Sequence, residues 1–236
     1  SCLKSVMDFP LHNALMQALN EPEGRGLGDK LNLLYEALAN DFIYADPKNI
    51  LVMADNHDMD RVFTQLGNDI DLAKMALTYI LTIRGIPQIF YGSEILMENT
   101  GHHKVDGLIR SDFPGGWQGD KGNAFTGEGL NDNQKQMQDY LKKLLNWRKN
   151  NPVIATGETL HFAPFDGVYV YFRYSSEKVI MVVMNKKGSQ VNLDTKRFEE
   201  IVKGKSTGVN VVTGESKLLS DPLIIPAKSA QVYEIK

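Results

Sequence analysis

Asn56, His57 and Asp58 form one triplet, and Arg61 follows three positions later. These are side chains that can grip and polarise hydroxyl groups. A carboxylate and an imidazole at adjacent positions can hydrogen-bond two neighbouring hydroxyls, as a sugar presents them. The triplet comes directly after Ile50-Leu51-Val52-Met53, a short apolar run bounded by polar residues, which reads as a strand buried on both sides. In barrels and open α/β sheets, catalytic residues collect at the C-terminal ends of such strands. Taken alone, the segment also has a purely structural reading: Asp58 would cap the next helix and His57 would pack beneath a loop.

Other chemistry-bearing groups carry less. Gly24, Gly26 and Gly28 do not fit the dinucleotide-binding glycine pattern and follow a helix rather than a strand. His102, His103 and Asp106 could form a metal cluster, but without further ligands at metal-binding spacing they read more simply as hydroxyl-binding or solvated side chains. Phe113, Trp117 and Phe125 could stack on sugar faces or simply pin a long loop.

The elements that position these residues follow from periodicity. The opening stretch to Asp8 reads as a strand ending at Phe9-Pro10, followed by a helix over Leu11–Leu19. A second helix is predicted from about Asp29 to Phe42, with Leu31, Leu34, Tyr35, Leu38 and Phe42 on one face. After the triplet, a helix spans Asn68–Arg84, with Asn68 or Asp69 as cap and Gly85 in the left-handed position beyond it. Ile86–Tyr91 is the next buried strand, Gly92 to about Asn131 a long glycine-rich loop, and Asp132–Lys149 a helix with Met137, Tyr140, Leu141, Leu144, Leu145 and Trp147 inward. A loop that long inside a compact domain is usually functional. The alternation of strand and helix implies parallel strands with right-handed crossovers.

From Pro152 the period changes to two. Val168–Phe172, Val179–Met184, Val209–Val212, Leu223–Ile225 and Ala230–Ile235 read as short strands of an antiparallel β-sandwich. The 236 residues are 42% hydrophobic, enough for real cores, and carry a net charge of −3 with no basic stripe, so nothing attracts nucleic acid. The longest apolar candidate for a membrane span, Met75–Tyr91, is broken by Arg84, Gly85 and Pro87. The single cysteine, Cys2, excludes an internal disulfide framework.

Met53–Arg61 and Gly85-Ile86-Pro87-Gln88-Ile89-Phe90-Tyr91-Gly92-Ser93-Glu94 together resemble the seventh and eighth strand motifs of glycoside hydrolase family 13, the α-amylase family. Val6-Met7-Asp8-Phe9-Pro10-Leu11 is similar to that family's sixth strand. Ile109–Trp117 resembles a loop of its neopullulanase and cyclomaltodextrinase branch. One departure is Ala54, where the family usually has a larger apolar residue.

The resemblance implies the last three βα units of a (β/α)8 TIM barrel over residues 1–151, followed by an antiparallel β-sandwich over 152–236. It implies a retaining glycosidase acting on α-1,4 or α-1,6 bonds of an α-glucan such as starch, maltodextrin or cyclodextrin. In that family Asp58 matches the carboxylate that holds sugar hydroxyls and supports the oxocarbenium-like transition state. His57 matches the adjacent substrate-binding histidine, while Asn56 and Arg61 belong to the same substrate-binding group and position its loop. Nucleophile and general acid end the fourth and fifth strands there, and no residue of this chain matches either, Asp8 included.

The chain is therefore expected to be a fragment that is inactive by itself, with any targeting signal upstream and the compartment unassigned. It is expected to pair with the missing part of the barrel or to self-associate through its open edge. No organic cofactor and no metal is assigned to these residues; a calcium ion, if the whole enzyme holds one, would belong to the upstream part. The alternatives are a non-catalytic, amylase-like interaction subunit and a carbohydrate-binding role for the β domain, where Tyr169 and Tyr171 read equally as one ordinary strand face.

Overall fold

The computed structural model describes residues 5–22 and 29–236. The expectations for Cys2 and for Gly24, Gly26 and Gly28 lie outside the described residues.

The first half follows the alternation read from the sequence. Met7 forms a parallel bridge with Leu51, and Leu51–Met53 (β1) pairs in parallel with Ile86–Gln88 (β2). Between them lie the helices Phe9–Asn20 (α1) and Asn32–Ala39 (α2) in the first crossover. Val62–Gln65 (α3) and Ile70–Thr82 (α4) make the second. After β2 come a short helix Asp106–Ile109 (α5) inside the long loop and then Asp132–Lys149 (α6).

Local chemistry sets the helix ends. Asp8 Oδ1 accepts from the Leu11 N–H at 3.0 Å and opens α1. Asp69, rather than Asn68, caps α4 through the N–H groups of Asp71 and Leu72. Asn131 and Gln134 form a reciprocal capping box at α6. Gly85, at φ +101°, lets β2 start against β1: a Cβ there would lie 2.6 Å from the Ile50 carbonyl oxygen.

Two expectations are corrected. The second helix stops at Ala39, and Phe42 sits on a short 3₁₀ turn, 82% exposed instead of on the apolar face. The chain there turns away to deliver Asp41 to Arg84, so local geometry overrides helical spacing. Leu145 of α6 likewise faces solvent. The β1 strand is covered on both sides as expected, with Ile50, Val52 and Met53 buried, whereas at the open edge Val6 and Ile86 are each about half exposed and β2 has no second strand partner among the described residues.

A short helix, Val153–Thr156 (α7), leads into the second half. Its strands are Glu158–Phe165 (β3), Val168–Tyr174 (β4), Val179–Asn185 (β5), Val191–Leu193 (β6), Thr207–Asn210 (β7), Ser216–Leu218 (β8), Leu223–Ile225 (β9) and Ser229–Ile235 (β10), with the short helix Glu199–Val202 (α8) after β6. They form an antiparallel six-stranded sheet, β3-β4-β5-β10-β7-β8, and a separate pair, β6-β9. The period of two sorts each central strand onto two cores. Val168, Val170, Phe172, Met181 and Val183 pack with Phe198, Leu223 and Ile225, under the β6-β9 pair. Tyr169, Tyr171, Ile180, Val182 and Met184 face the helices of the first half. The expected sandwich is thus lopsided: its second layer is two strands on one side and α-helices on the other.

That second contact is polar as well as apolar. Thr82 Oγ1 and the Tyr171 hydroxyl lie 2.6 Å apart, the Tyr79 ring meets Tyr171 edge-on, and Trp147 Nε1 donates to Glu234 at 2.6 Å. In the first half, Arg84 is buried and donates to Asp8 at 2.8 Å and to both oxygens of Asp41. The Asp41 and Asp8 carboxylates outweigh the cost of burial and hold the Arg84 guanidinium firmly protonated. Removing one partner from a buried ion pair leaves an uncompensated charge. Arg84→Met should therefore destabilise the chain by about 3–5 kcal/mol in urea unfolding. Lys228→Ala, which breaks only the exposed 3.0 Å pair with Asp69, should cost at most about 1 kcal/mol.

Candidate functional site

β1 delivers Ala54, Asp55 and Asn56 to buried positions and then brings His57 and Asp58 out of the protein. The His57 and Asp58 side chains are 60% and 64% exposed, with His57 Nε2 3.3 Å from Asp58 Oδ1. Neither structural alternative for this pair holds. His57 is not packed under a loop, and the α3 N-terminus is met by Asp55, whose Oδ2 accepts from the Val62 N–H at 2.8 Å.

The buried residues of the segment hold the exposed ones in place. Asn56 Oδ1 accepts from the Asp58 N–H at 2.8 Å, closing a tight turn that fixes where the carboxylate emerges. Its amide contacts the Met53 sulfur at 3.4 Å. Arg61 is wholly buried and reaches three segments. Its N–H donates to Asn99 Oδ1 at 3.0 Å, Nε to the Ile109 carbonyl at 2.8 Å, and Nη1 to the Tyr91 carbonyl. Its guanidinium lies 4.0 Å from the centre of the Phe90 ring. Burial pulls its pKa down, against the nearby Asp55, and Nη2 finds no partner among the described residues.

The long loop after β2 closes over the same end of the sheet. Arg110 Nε donates to the His57 carbonyl at 2.9 Å, and Nη2 lies 3.2 Å from Asp58 Oδ1 and 3.1 Å from Asp106 Oδ2. Asp60 accepts from His103 Nδ1, the Lys104 N–H and Asn99 Nδ2 at 2.9, 2.8 and 2.7 Å. Burial raises the Asp60 pKa, but these bonds outweigh it and bring the carboxyl below its usual value. The candidate metal cluster therefore does not converge: His103 turns to Asp60 and Asp106 to Arg110.

Chemically, the site offers an exposed carboxylate and an imidazole side by side on a fixed turn, with a guanidinium against the carboxylate. Such a group can hold adjacent hydroxyls of a polyol. Sequence reasoning placed all four candidate residues in this region but missed Arg110 as the partner of Asp58, 52 positions away. It also missed Asp55. Both are ordinary charged residues in sequence, and only their long-range partners mark them.

Asp55 is fully buried, and burial pushes its pKa up to about 6 despite bonds from Val62 and Ser93. The folded state thus holds the Asp55 proton more tightly than the unfolded chain does. The stability this contributes is complete below about pH 4 and is lost as pH rises through about 6. A shift of that size corresponds to roughly 3 kcal/mol. Asp55→Asn keeps an acceptor for Val62 and removes the titration. Relative to the variant, the wild-type chain should therefore lose up to about 3 kcal/mol between pH 4 and pH 7, read by urea unfolding across that range.

Residues 2–151 match the family described as the α-amylase catalytic domain, and residues 159–234 match the cyclo-malto-dextrinase C-terminal domain. The cyclomaltodextrin glucanotransferase of Geobacillus stearothermophilus is 30% identical over 203 residues, covering 86% of this chain and 25% of that protein. The maltogenic α-amylase of Bacillus acidopullulyticus is 29% identical over 145 residues, covering 58% of this chain and 21% of that protein. Among solved structures, an Anoxybacillus α-amylase superposes with a TM-score of 0.75 at 20% identity, over 99% of this chain and 47% of its own. The Geobacillus thermoleovorans α-amylase, crystallised with acarbose, gives 0.74 at 22%, over 99% and 48%. The chain therefore spans about a quarter of those sequence relatives and about half of those structures. Its α/β half is part of a TIM-barrel catalytic domain and its second half a C-terminal sheet domain. With the catalytic-domain match running over most of its length, and with the strand-end segments in the order found here, the chain belongs to the α-amylase family.

Proposed function

We propose that this chain supplies strands six to eight, the substrate-gripping corner and the C-terminal domain of a retaining α-glucan glycosidase. The observation that carries the reading is the exposed Asp58 carboxylate, emerging beside His57 at the C-terminal end of β1 on a turn built by buried Asn56. In the proposed mechanism Asp58 and His57 accept and donate hydrogen bonds to adjacent sugar hydroxyls. These bonds tighten as the ring flattens toward an oxocarbenium ion, so Asp58 stabilises the transition state more than the bound sugar. Arg110 steadies the carboxylate, while Asn56 and Arg61 act from beneath by fixing the loop. The relatives named as glucanotransferases and amylases support an α-glucan as substrate.

Retaining hydrolysis also needs a nucleophile and a general acid about 5–5.5 Å apart. We assign these to the part of the barrel outside this chain. That part would also cover β2 and the half-exposed Val6 and Ile86, which present unpaired strand edge and apolar surface. The reading of a non-catalytic interaction subunit is disfavoured because the Asn56-His57-Asp58 group is intact, with His57 and Asp58 exposed and Asn56 buried beneath them. A carbohydrate-binding face at Tyr169 and Tyr171 is excluded, since both rings are wholly buried against the helices.

The purified chain alone should release no sugar from maltooligosaccharides; turnover that Asp58→Asn abolishes would overturn the assignment of the missing groups. Joined to the rest of its barrel, the enzyme should lose several orders of magnitude in kcat on Asp58→Asn with its fold intact by circular dichroism. Near-normal kcat would remove Asp58 from the mechanism. By sedimentation, the chain alone should self-associate, or bind the remaining barrel part when it is supplied. A stable monomer at tens of micromolar without apolar-dye binding would show that the edge is covered from within.

A further inference from the structure

The loop between β2 and α6 carries two aromatic rings that the fold leaves bare: Trp117 is 68% exposed and Phe125 74%. Single exposed apolar residues are ordinary, but these two sit on turns that are rigidly held. Asp120 Oδ2 accepts from the N–H groups of Gly115 at 2.7 Å and Trp117 at 3.1 Å. Asn123 Oδ1 accepts from Phe125 at 2.9 Å and Thr126 at 3.2 Å. The two turns also brace each other. Gly115 has φ +96°, and a Cβ there would lie 2.6 Å from Asn123 Oδ1 and 2.9 Å from its Cα, so a side chain would push them apart. The Ala124 N–H donates to the Pro114 carbonyl at 3.0 Å, and Gln138 of α6 holds the Ala124 carbonyl at 2.9 Å. Beneath them, Phe113 packs on Ile95, Ala124 and Leu130, with its ring 5.2 Å from Phe125.

The same loop is continuous with the Asp58 site. The Tyr91 hydroxyl donates to the Ser111 carbonyl at 2.9 Å, and the adjacent Arg110 holds Asp58 and the His57 carbonyl. A hollow of about 340 Å³ beside the Trp117 turn is lined by Asp112, Asp120, Lys121 and Gln134, among others. A bare indole on a fixed frame contributes nothing to the core, yet offers a flat apolar face already in place. The C–H face of a pyranose is an apolar patch of matching shape with hydroxyls at its rim. Stacking dries that patch while the rim hydroxyls meet carboxylate, amide and ammonium groups. Because the frame is preorganised, little entropy is lost on binding.

We propose that Trp117, with Phe125 and the adjacent hollow, is an α-glucan contact that extends the cleft beyond the sugar units held at Asp58. It would select longer chains over short ones. This rests on the α-glucan reading above, and the test separates the two.

The sequence has two tryptophans, and Trp147 is half-buried with its Nε1 on Glu234. In a Trp147→Phe chain the emission therefore reports Trp117 alone. Maltoheptaose should change that emission saturably, and maltose should not. By calorimetry, Trp117→Ala should weaken maltoheptaose binding about tenfold, or about 1.4 kcal/mol, and Trp117→Phe should recover most of it. Should Trp147→Phe unfold, the difference between wild type and Trp117→Phe gives the same readout. Maltoheptaose binding that Trp117→Ala leaves unchanged, or that leaves the emission unchanged, overturns this inference while the α-glucan reading stands. Absence of binding at millimolar maltoheptaose overturns it too. The α-glucan reading is then decided separately, by the activity of the joined barrel and its loss on Asp58→Asn.

Discussion

One buried guanidinium organises the functional end of this molecule. Arg61 draws together the segment after β1, the end of β2 and the loop beyond it, through Asn99, Ile109 and Tyr91 and by stacking on Phe90. A wholly buried cation is tolerable only where carbonyls, amides and ring faces replace water, so its position dictates theirs. Once Arg61 is seated, Ile109 is fixed, and the next residue, Arg110, falls within reach of Asp58. The exposed chemistry thus depends on an unexposed charge that touches none of it. Asp55 lies in the same buried layer, tying the α3 N-terminus to Ser93.

The other organising constraint is a sheet with two dry faces. The strands β4, β5 and β10 bury alternate residues against the β6-β9 pair and against α4 and its neighbours. Such a sheet cannot be separated from the helices without exposing Tyr169, Tyr171 and Val182 to water. The polar contacts Thr82–Tyr171 and Trp147–Glu234 satisfy groups that this burial would otherwise strand. The second domain accordingly acts as a backing for the barrel helices, and its Tyr169, Tyr171 and Phe172 rings serve packing. The rings proposed to meet glucan, Trp117 and Phe125, lie instead on the loop after β2.

The proposed function implies a division of labour within the cleft. Rigid groups at strand ends suit the reacting sugar, where small displacements cost rate. Loop-borne aromatic faces suit the remote units, whose binding tolerates some latitude. Here the loop is itself stiffened, by Asp120, Asn123 and the close contact at Gly115.

The sequence by itself determined the strand–helix alternation, a helix cap at Asn68 or Asp69, the change of period after Pro152 and the candidate triplet Asn56-His57-Asp58. These follow from bonds between residues a few positions apart, and from a motif that is contiguous in the chain. Tertiary structure alone decided that Phe42 faces water and that Tyr169 and Tyr171 do not. It also decided that Asp55 is buried and that Arg110, 52 positions along the chain, reaches the Asp58 carboxylate. Periodicity tells which face of an element is apolar, but not which other element covers it. A charge's role is set by partners that folding brings from far along the chain, and neither distance nor burial is written in the order of residues.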